Sequence, residues 1–196
     1  MPRQIVQIEG TAIPLRGDNI DTDRIIPARY LKSITFDGLG DHVFADDRKS
    51  LPAHPFSSSI FHGASILLVN ENFGTGSSRE HAPRALERWG IRACIGQSFS
   101  EIFFGNSLMI GLPCARVARD EMEFLMRSAE QEPKSRLLVN VSDLTVQAPS
   151  RMVRIEMPEA ARESLLKGSW DATGLLLDHY DEVQTVARRL PYVRGF

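Results

Sequence analysis

Asn70-Glu-Asn-Phe-Gly-Thr-Gly-Ser-Ser-Arg-Glu-His-Ala-Pro-Arg84 follows the apolar run Ala64-Ser-Ile-Leu-Leu-Val69 and leads into Ala85-Leu-Glu-Arg-Trp89. The run has the length and branched content of a buried strand, and the segment after the motif reads as helix. A strand, a glycine turn and a helix therefore succeed one another. Gly74 and Gly76 permit positive φ or a close backbone approach, and Ser77 or Ser78 can cap the helix that follows. Free N–H groups in a helix's first turn carry partial positive charge and favour an anion. Arg79 adds a full charge and a fork that fits a carboxylate bidentately, with Arg84 one turn on as a second candidate. The stretch predicts an anion site furnished with two hydroxyls. A glycine turn before a capped helix also occurs with no ligand, so residue types alone leave both readings standing. Three familiar motifs fail here: the dinucleotide fingerprint needs glycine where Arg79 stands, the phosphate loop needs Gly-Lys-Ser/Thr, and the hydrolase elbow needs Gly two places after the serine.

Outward from the motif, Arg92-Ala-Cys-Ile-Gly96 reads as a second buried strand, which makes a strand–helix–strand unit and so a parallel pair. Phe99, Ile102 and Phe103 stand at helical spacing, with Phe99 and Phe103 as core residues and Gly105-Asn-Ser107 as the turn that ends the helix. Leu112–Val117 is another strand, and Met122, Leu125, Met126 and Ala129 mark an amphipathic helix running to Pro133. Leu137–Gln147 reads as a hairpin turning near Ser142-Asp143, followed by a strand over Met152–Met157. Pro158 opens a helix that ends near Gly168. Asp171-Ala-Thr-Gly174 caps a last helix, with Leu177, Tyr180 and Val183 inward and Pro191 as its stop.

Upstream, Ile5–Ile8 alternates as a strand. Asp18-Asn-Ile-Asp-Thr-Asp-Arg-Ile-Ile-Pro27 crowds acids and amides, which suits a turn and helix cap, a cation, or the steering of an arginine. Tyr30 to Pro55 is a long polar loop of glycines, charges and two phenylalanines, of the kind that is either disordered or functional, and it suits a lid. No repeat or linker interrupts the chain, and one α/β domain is the expectation.

With 196 residues, 42% of them hydrophobic and 24% charged, the composition is that of a soluble globular protein. A net charge of -2 without any basic tract gives no reason to expect nucleic acid. No apolar run approaches the ~18 residues of a membrane span, and the start is too short in apolar residues for a signal peptide, so no membrane and a cytoplasmic location are expected. Cys94 and Cys114 lie in apolar strand-like segments and supply neither a disulfide framework nor a cluster-binding set. The five histidines lack zinc spacing.

Gly76-Ser-Ser-Arg-Glu-His-Ala82 resembles the active-site loop of the swivelling domain of the aconitase superfamily. The wider chain is similar to the small subunits of 3-isopropylmalate dehydratase (isopropylmalate isomerase), through Asp21-Thr-Asp-Arg-Ile-Ile-Pro27, Gly63-Ala-Ser-Ile-Leu-Leu68, Asn72–Pro83, Ser98-Phe-x-x-Ile-Phe-x-Gly-Asn-Ser107 and Gly174-Leu-x-Leu177. The resemblance implies a three-layer β/β/α fold, mixed sheets with flanking helices, over 1–196. It implies a heterodimer with a large subunit that carries a four-iron, four-sulfur cluster, this chain binding no cofactor or metal itself. The implied reaction moves the hydroxyl of 2-isopropylmalate to the neighbouring carbon by dehydration and rehydration, in leucine biosynthesis.

By match to the motif, Ser77 is the base, as an alkoxide, and Arg79 shares the catalytic work. Ser78 and Gly76 bind the small dicarboxylate or hydroxy-acid substrate, Asp23 sits at the matching acidic position, and substrate choice falls to the loop at about 30–55 with Tyr30 and Arg48. A serine hydroxyl starts about as weakly acidic as water, and ionising it near neutral pH costs about 12 kcal/mol. An oxyanion donor supplies ~3 kcal/mol and an arginine at ~4 Å supplies ~4, so two amides with Arg79 reach about ten in a dry enclosure. The lone subunit is then inert. Asp46-Asp47-Arg48 departs from relatives that have an aromatic between the aspartate and the arginine, which keeps a related 2-alkylmalate or citraconate hydro-lyase as an alternative; a non-catalytic anion-binding module that kept the loop and lost the partner is another. Thr75, where relatives often carry cysteine, should matter little.

Overall fold

The computed structural model describes residues 3–32 and 36–193, so residues 33–35 of the long polar segment and both extreme termini lie outside the description. Seven strands form a sheet ordered β4-β3-β2-β1-β5-β6-β7, namely β1 (Gln7–Leu15), β2 (Ile66–Val69), β3 (Ala93–Gly96), β4 (Cys114–Arg116), β5 (Arg136–Asn140), β6 (Thr145–Gln147) and β7 (Met152–Arg154). β1 joins the two halves of this mixed sheet. Its residues Gln7–Thr11 pair antiparallel with β5, and its residues Ala12–Leu15 pair parallel with β2. The expected strand over Ile5–Ile8 is thus shifted and longer. Pro14 hid this, yet beyond Thr11 the β5 edge of β1 has no partner in the ladder, which is where a residue without an N–H fits.

The parallel half is buried on both faces, which is why its strands read as continuous apolar runs. Leu67, Val69, Cys94 and Cys114 face one core, with α3 (His81–Trp89) and α4 (Glu101–Met109) supplying Ala82, Ala85, Leu86 and Phe103. Ile66, Leu68, Ala93 and Ile95 face the other, where α5 (Arg119–Gln131) brings Met122, Leu125 and Met126, and the antiparallel half adds Val139, Val146 and Val153. The parallel register expected around the central motif is observed, Ile66 pairing with Ala93 and Val69 with Gly96.

Several local expectations are corrected. α4 does not end at Gly105; Ser100 caps it and it continues to Met109, with Gly111 at φ 70° just beyond. Phe103 is buried and Phe99 partly so, but Ile102 is exposed. The segment after Tyr30 is no loose loop. Among the described residues it holds the helix α2 (Ala45–Ser50) and three short turns of 3₁₀ helix between Leu39 and Phe61, and it buries Leu39, Val43, Phe44 and Phe56 in the core. Phe44 packs against His54 and Phe56, and Phe56 against Trp89. Periodicity cannot reveal elements one turn long.

The C-terminal part departs furthest. After α6 (Glu159–Lys167) the expected single helix is two, α7 (Ala172–Asp178), capped by Asp171, and α8 (Tyr180–Ala187), broken at His179. Leu177 and Tyr180 point outward, 64% and 54% exposed, and Val183 is half-buried. Among the described residues no helix is long and apolar enough to cross a membrane.

Candidate functional site

β2 delivers Asn70 at the carboxyl edge of the parallel strands, the edge where such sheets place ligands. The acidic stretch before α1 (Thr22–Ile25) meets it there, and its charges and amides serve as clamps. Asp18 accepts from the Glu71 N–H at 3.1 Å, Asn19 accepts from the Asn72 amide at 2.8 Å, and Asn70 accepts from the Gly17 N–H at 2.9 Å. Asp21 caps α1 by accepting from the Arg24 N–H at 2.8 Å. The turn-and-cap reading and the arginine reading of this stretch both hold, residue by residue.

The glycine turn is fixed from two sides. Gly74 donates to the Ile20 carbonyl at 2.7 Å, and its own carbonyl accepts from the Ser100 hydroxyl at 2.6 Å. Its φ of 76° and a Phe103 ring carbon only 2.3 Å from where a Cβ would stand leave room for glycine alone. Thr75 accepts from the Thr22 N–H at 2.9 Å, and Ser77 accepts at its carbonyl from the Thr22 hydroxyl at 3.3 Å. Gly76, at φ 99°, has only ordinary contacts around its missing Cβ, so it is needed for conformation and not for space.

Ser77 and Ser78 are exposed, and among the described residues neither hydroxyl has a hydrogen-bond partner. They do not cap α3. That position belongs to Glu80, which makes no side-chain cap, because the chain runs on past the serines before the helix begins. Arg79 turns back and forms an ion pair with Asp23, its side chain 19% exposed against 55% for the aspartate. Arg84 is bonded to Glu80 at 2.9 Å and lies over Phe36.

Tyr30 stacks on His42 with ring centroids 4.0 Å apart, and Arg29 lies over its ring. Arg48 donates to the Asp41 and Val43 carbonyls at 3.0 and 3.3 Å and to the Ser57 hydroxyl at 3.3 Å, lining a cavity with Trp89 at the far end of α3. No hydrogen bond, ion pair or ring contact among the described residues links Tyr30 or Arg48 to Ser77, Ser78 or Arg79. The aspartates that replace the expected aromatic pattern are both held in forks, Asp46 by Arg29 at 2.8 and 2.6 Å and Asp47 by Arg24 at 3.0 and 2.8 Å. Arg29 keeps the Asp46 carboxyl below the usual carboxylate range.

Thr22 and Ser100 were given no role of their own by sequence reasoning. A signal was present for the second: a serine three residues ahead of Phe103 in an apolar run is a cap. Nothing of that kind marks a threonine that holds a turn far along the chain. Cys94 and Cys114 face each other across β3 and β4, both buried, and their mutual hydrogen bond and burial push the Cys94 thiol up. Such thiols are inert and offer nothing to a metal. Among the described residues no group of three His, Cys, Asp or Glu side chains is placed to hold an ion.

Residues 3–118 match the family model of the aconitase C-terminal domain. The 3-isopropylmalate dehydratase small subunit of Synechocystis sp. is 45% identical over 97% of this chain and 96% of its own length. A Thermus thermophilus small subunit of the same name is 45% identical over 99% of this chain and 98% of its own. A crystal structure of 3-isopropylmalate dehydratase from Methanocaldococcus jannaschii superposes with a TM-score of 0.68 at 26% identity, covering 89% of this chain and 99% of that one.

Proposed function

This chain belongs to the family of 3-isopropylmalate dehydratase small subunits, and on that premise we propose that Gly76, Ser77, Ser78 and Arg79 form its share of the active site. The chain is the small subunit of a hydro-lyase that interconverts 2-isopropylmalate and 3-isopropylmalate by removing and returning water, in leucine biosynthesis. A small subunit implies a large-subunit partner. Residues 1–196 act, in this proposal, as one swivelling domain in the cytoplasm, with neither nucleic acid nor membrane among its partners.

Ser77 takes the proton from the substrate carbon next to a carboxylate and gives it back on the neighbouring carbon. Ser78, the main-chain N–H groups and Arg79 hold the substrate's carboxylate. The observation that carries this assignment is the contrast inside one loop: its backbone is bonded on both sides, while the Ser77 and Ser78 hydroxyls are exposed and free of partners among the described residues. Asp23 keeps the Arg79 guanidinium from swinging away from the loop, and acts on substrate through it. That pairing also revises the energetics. A carboxylate at the guanidinium cancels part of its field, so the ~4 kcal/mol of a free arginine is an upper bound. The balance of the ~12 kcal/mol needed to ionise Ser77 falls to the N–H groups and to the exclusion of water once a second polypeptide covers the loop. The isolated chain, with Ser77 open to solvent, has no base.

Tyr30 and Arg48 belong to the proposed recognition segment at about 30–55, where Arg48 supports the Asp41–Val43 turn. The four-iron, four-sulfur cluster is assigned to the large subunit, and no step runs through this chain's cysteines. Mixing the purified chain with cluster-loaded large subunit and 2-isopropylmalate should raise the absorbance of the unsaturated acid, while each protein alone leaves it flat. A pair that associates yet yields no unsaturated acid overturns the assignment.

A further inference from the structure

Thr22 is 2% exposed and, among the described residues, touches the turn at two carbonyls, giving its N–H to Thr75 and its hydroxyl to Ser77. A trans peptide holds its N–H antiparallel to its C=O. With the Thr75 and Ser77 carbonyls drawn toward α1, the N–H groups of the same two peptide planes, those of Gly76 and Ser78, are turned to the opposite side of the loop. Neither N–H has an acceptor among the described residues. The two exposed serine hydroxyls lie on this same short stretch.

We propose that Thr22 is a positioning residue for the Ser77 base: its hydroxyl locks the Ser77–Ser78 peptide plane so that the Ser78 N–H faces the anionic oxygen and not the loop's own support. This rests on Ser77 as base. The hydroxyl has no second acceptor among the described residues, and at this burial it needs one. The 3.3 Å separation is long for a hydroxyl donor, and bonds of this kind tighten when a site closes. Gly76 is what lets the chain bring both carbonyls to the same side, since its φ of 99° is open only to glycine without strain.

The test uses the reconstituted two-subunit enzyme with Thr22→Val, Thr22→Ser and Ser77→Ala. Thr22→Val keeps shape and removes the hydroxyl; kcat should fall tenfold to a hundredfold, on the order seen when a supporting partner is lost, with KM within threefold. Thr22→Ser should restore kcat to within threefold of wild type. Should Thr22→Val fail to assemble with the large subunit, Thr22→Ala, which also lacks the donor, is read by the same criterion. A hydroxyl-free variant with wild-type kcat, a loss confined to KM, or a loss not rescued by serine overturns the proposal. Ser77→Ala separates the two levels: if it is inactive while Thr22→Val is normal, only the role of Thr22 fails, and if Ser77→Ala is active, the base assignment fails first.

Discussion

The loop from Gly74 to Arg79 and the pair α7–α8 both lie at the surface, and they are held in opposite ways. The loop presents almost no apolar side chain, yet Ile20, Thr22, Ser100 and Asp23 fasten it to two different elements. The helical pair presents Leu176, Leu177, Tyr180 and Val186, all more than half exposed, and bonds mainly within itself. Hydrogen bonds to buried partners fix a geometry to within tenths of an ångström; apolar contact stabilises without fixing one. The proposed ionisation of Ser77 requires the first kind of support.

Gly74→Ala should have the largest effect on stability. Left-handed φ costs an alanine ~1–2 kcal/mol and overpacking against Phe103 adds ~1–3, so urea unfolding should show a loss of about 3 kcal/mol. A loss below ~1 kcal/mol would mean the turn relaxes freely and is not fastened as described. Asp23→Asn should separate activity from stability. It frees Arg79, so kcat/KM of the reconstituted enzyme should drop about tenfold to a hundredfold, while unfolding free energy stays within ~1 kcal/mol because the aspartate is half-exposed. Equal damage to both would make the pair a structural brace only.

The Leu39–Phe61 segment is held in a third way, by buried rings. There His54 is 5% exposed, accepts from the Phe56 N–H at Nδ1, and has no partner for Nε2 among the described residues. Burial holds its pKa below the ordinary 6.5, against the pull of Asp47 and with the help of Arg48 and Arg24. The folded state therefore binds the proton less readily than the unfolded one. Its contribution is complete above about 6.5 and declines as the pH falls from there toward the lower folded value. His54→Asn retains an acceptor and removes the titration, so its melting temperature should lose less than that of wild type on acidification through that window. Parallel curves for the two proteins contradict the role given to His54. The smallest effect is expected from Leu177→Ser with Tyr180→Ser, within ~0.5 kcal/mol of wild type in the isolated chain. A larger loss would show that the helical pair packs on the body after all.

The same contrast explains what the sequence revealed. β2, α3, β3 and α5 were legible because burial on one or two faces writes a period into the residues that carry it. Pro14 concealed the length of β1, since its acceptability depends on which edge lacks a neighbour. Leu177 and Tyr180 carry an inward pattern, but their period only says that something covers them, and among the described residues nothing does. At the proposed site, the glycines, the two serines and Arg79 suggested an anion site by residue type and order, and only the resemblance gave Ser77 its role as base. The clamps at Thr22 and Ser100 were not, because a hydrogen bond between residues 55 or 26 apart leaves no periodic trace. The Asp23–Arg79 pair stood between the two cases, since the acid cluster allowed the steering of an arginine but only the fold named the partner.

The most direct measurement is the turnover of 2-isopropylmalate by large subunit reconstituted with the Ser77→Ala chain, alongside a binding assay for the pair. Removal of the proposed proton acceptor should leave association intact and lower kcat at least a hundredfold, the lower range for a general base. A Ser77→Ala enzyme that assembles and turns over at the wild-type rate would contradict the account, because the chemistry would then reside entirely in the partner.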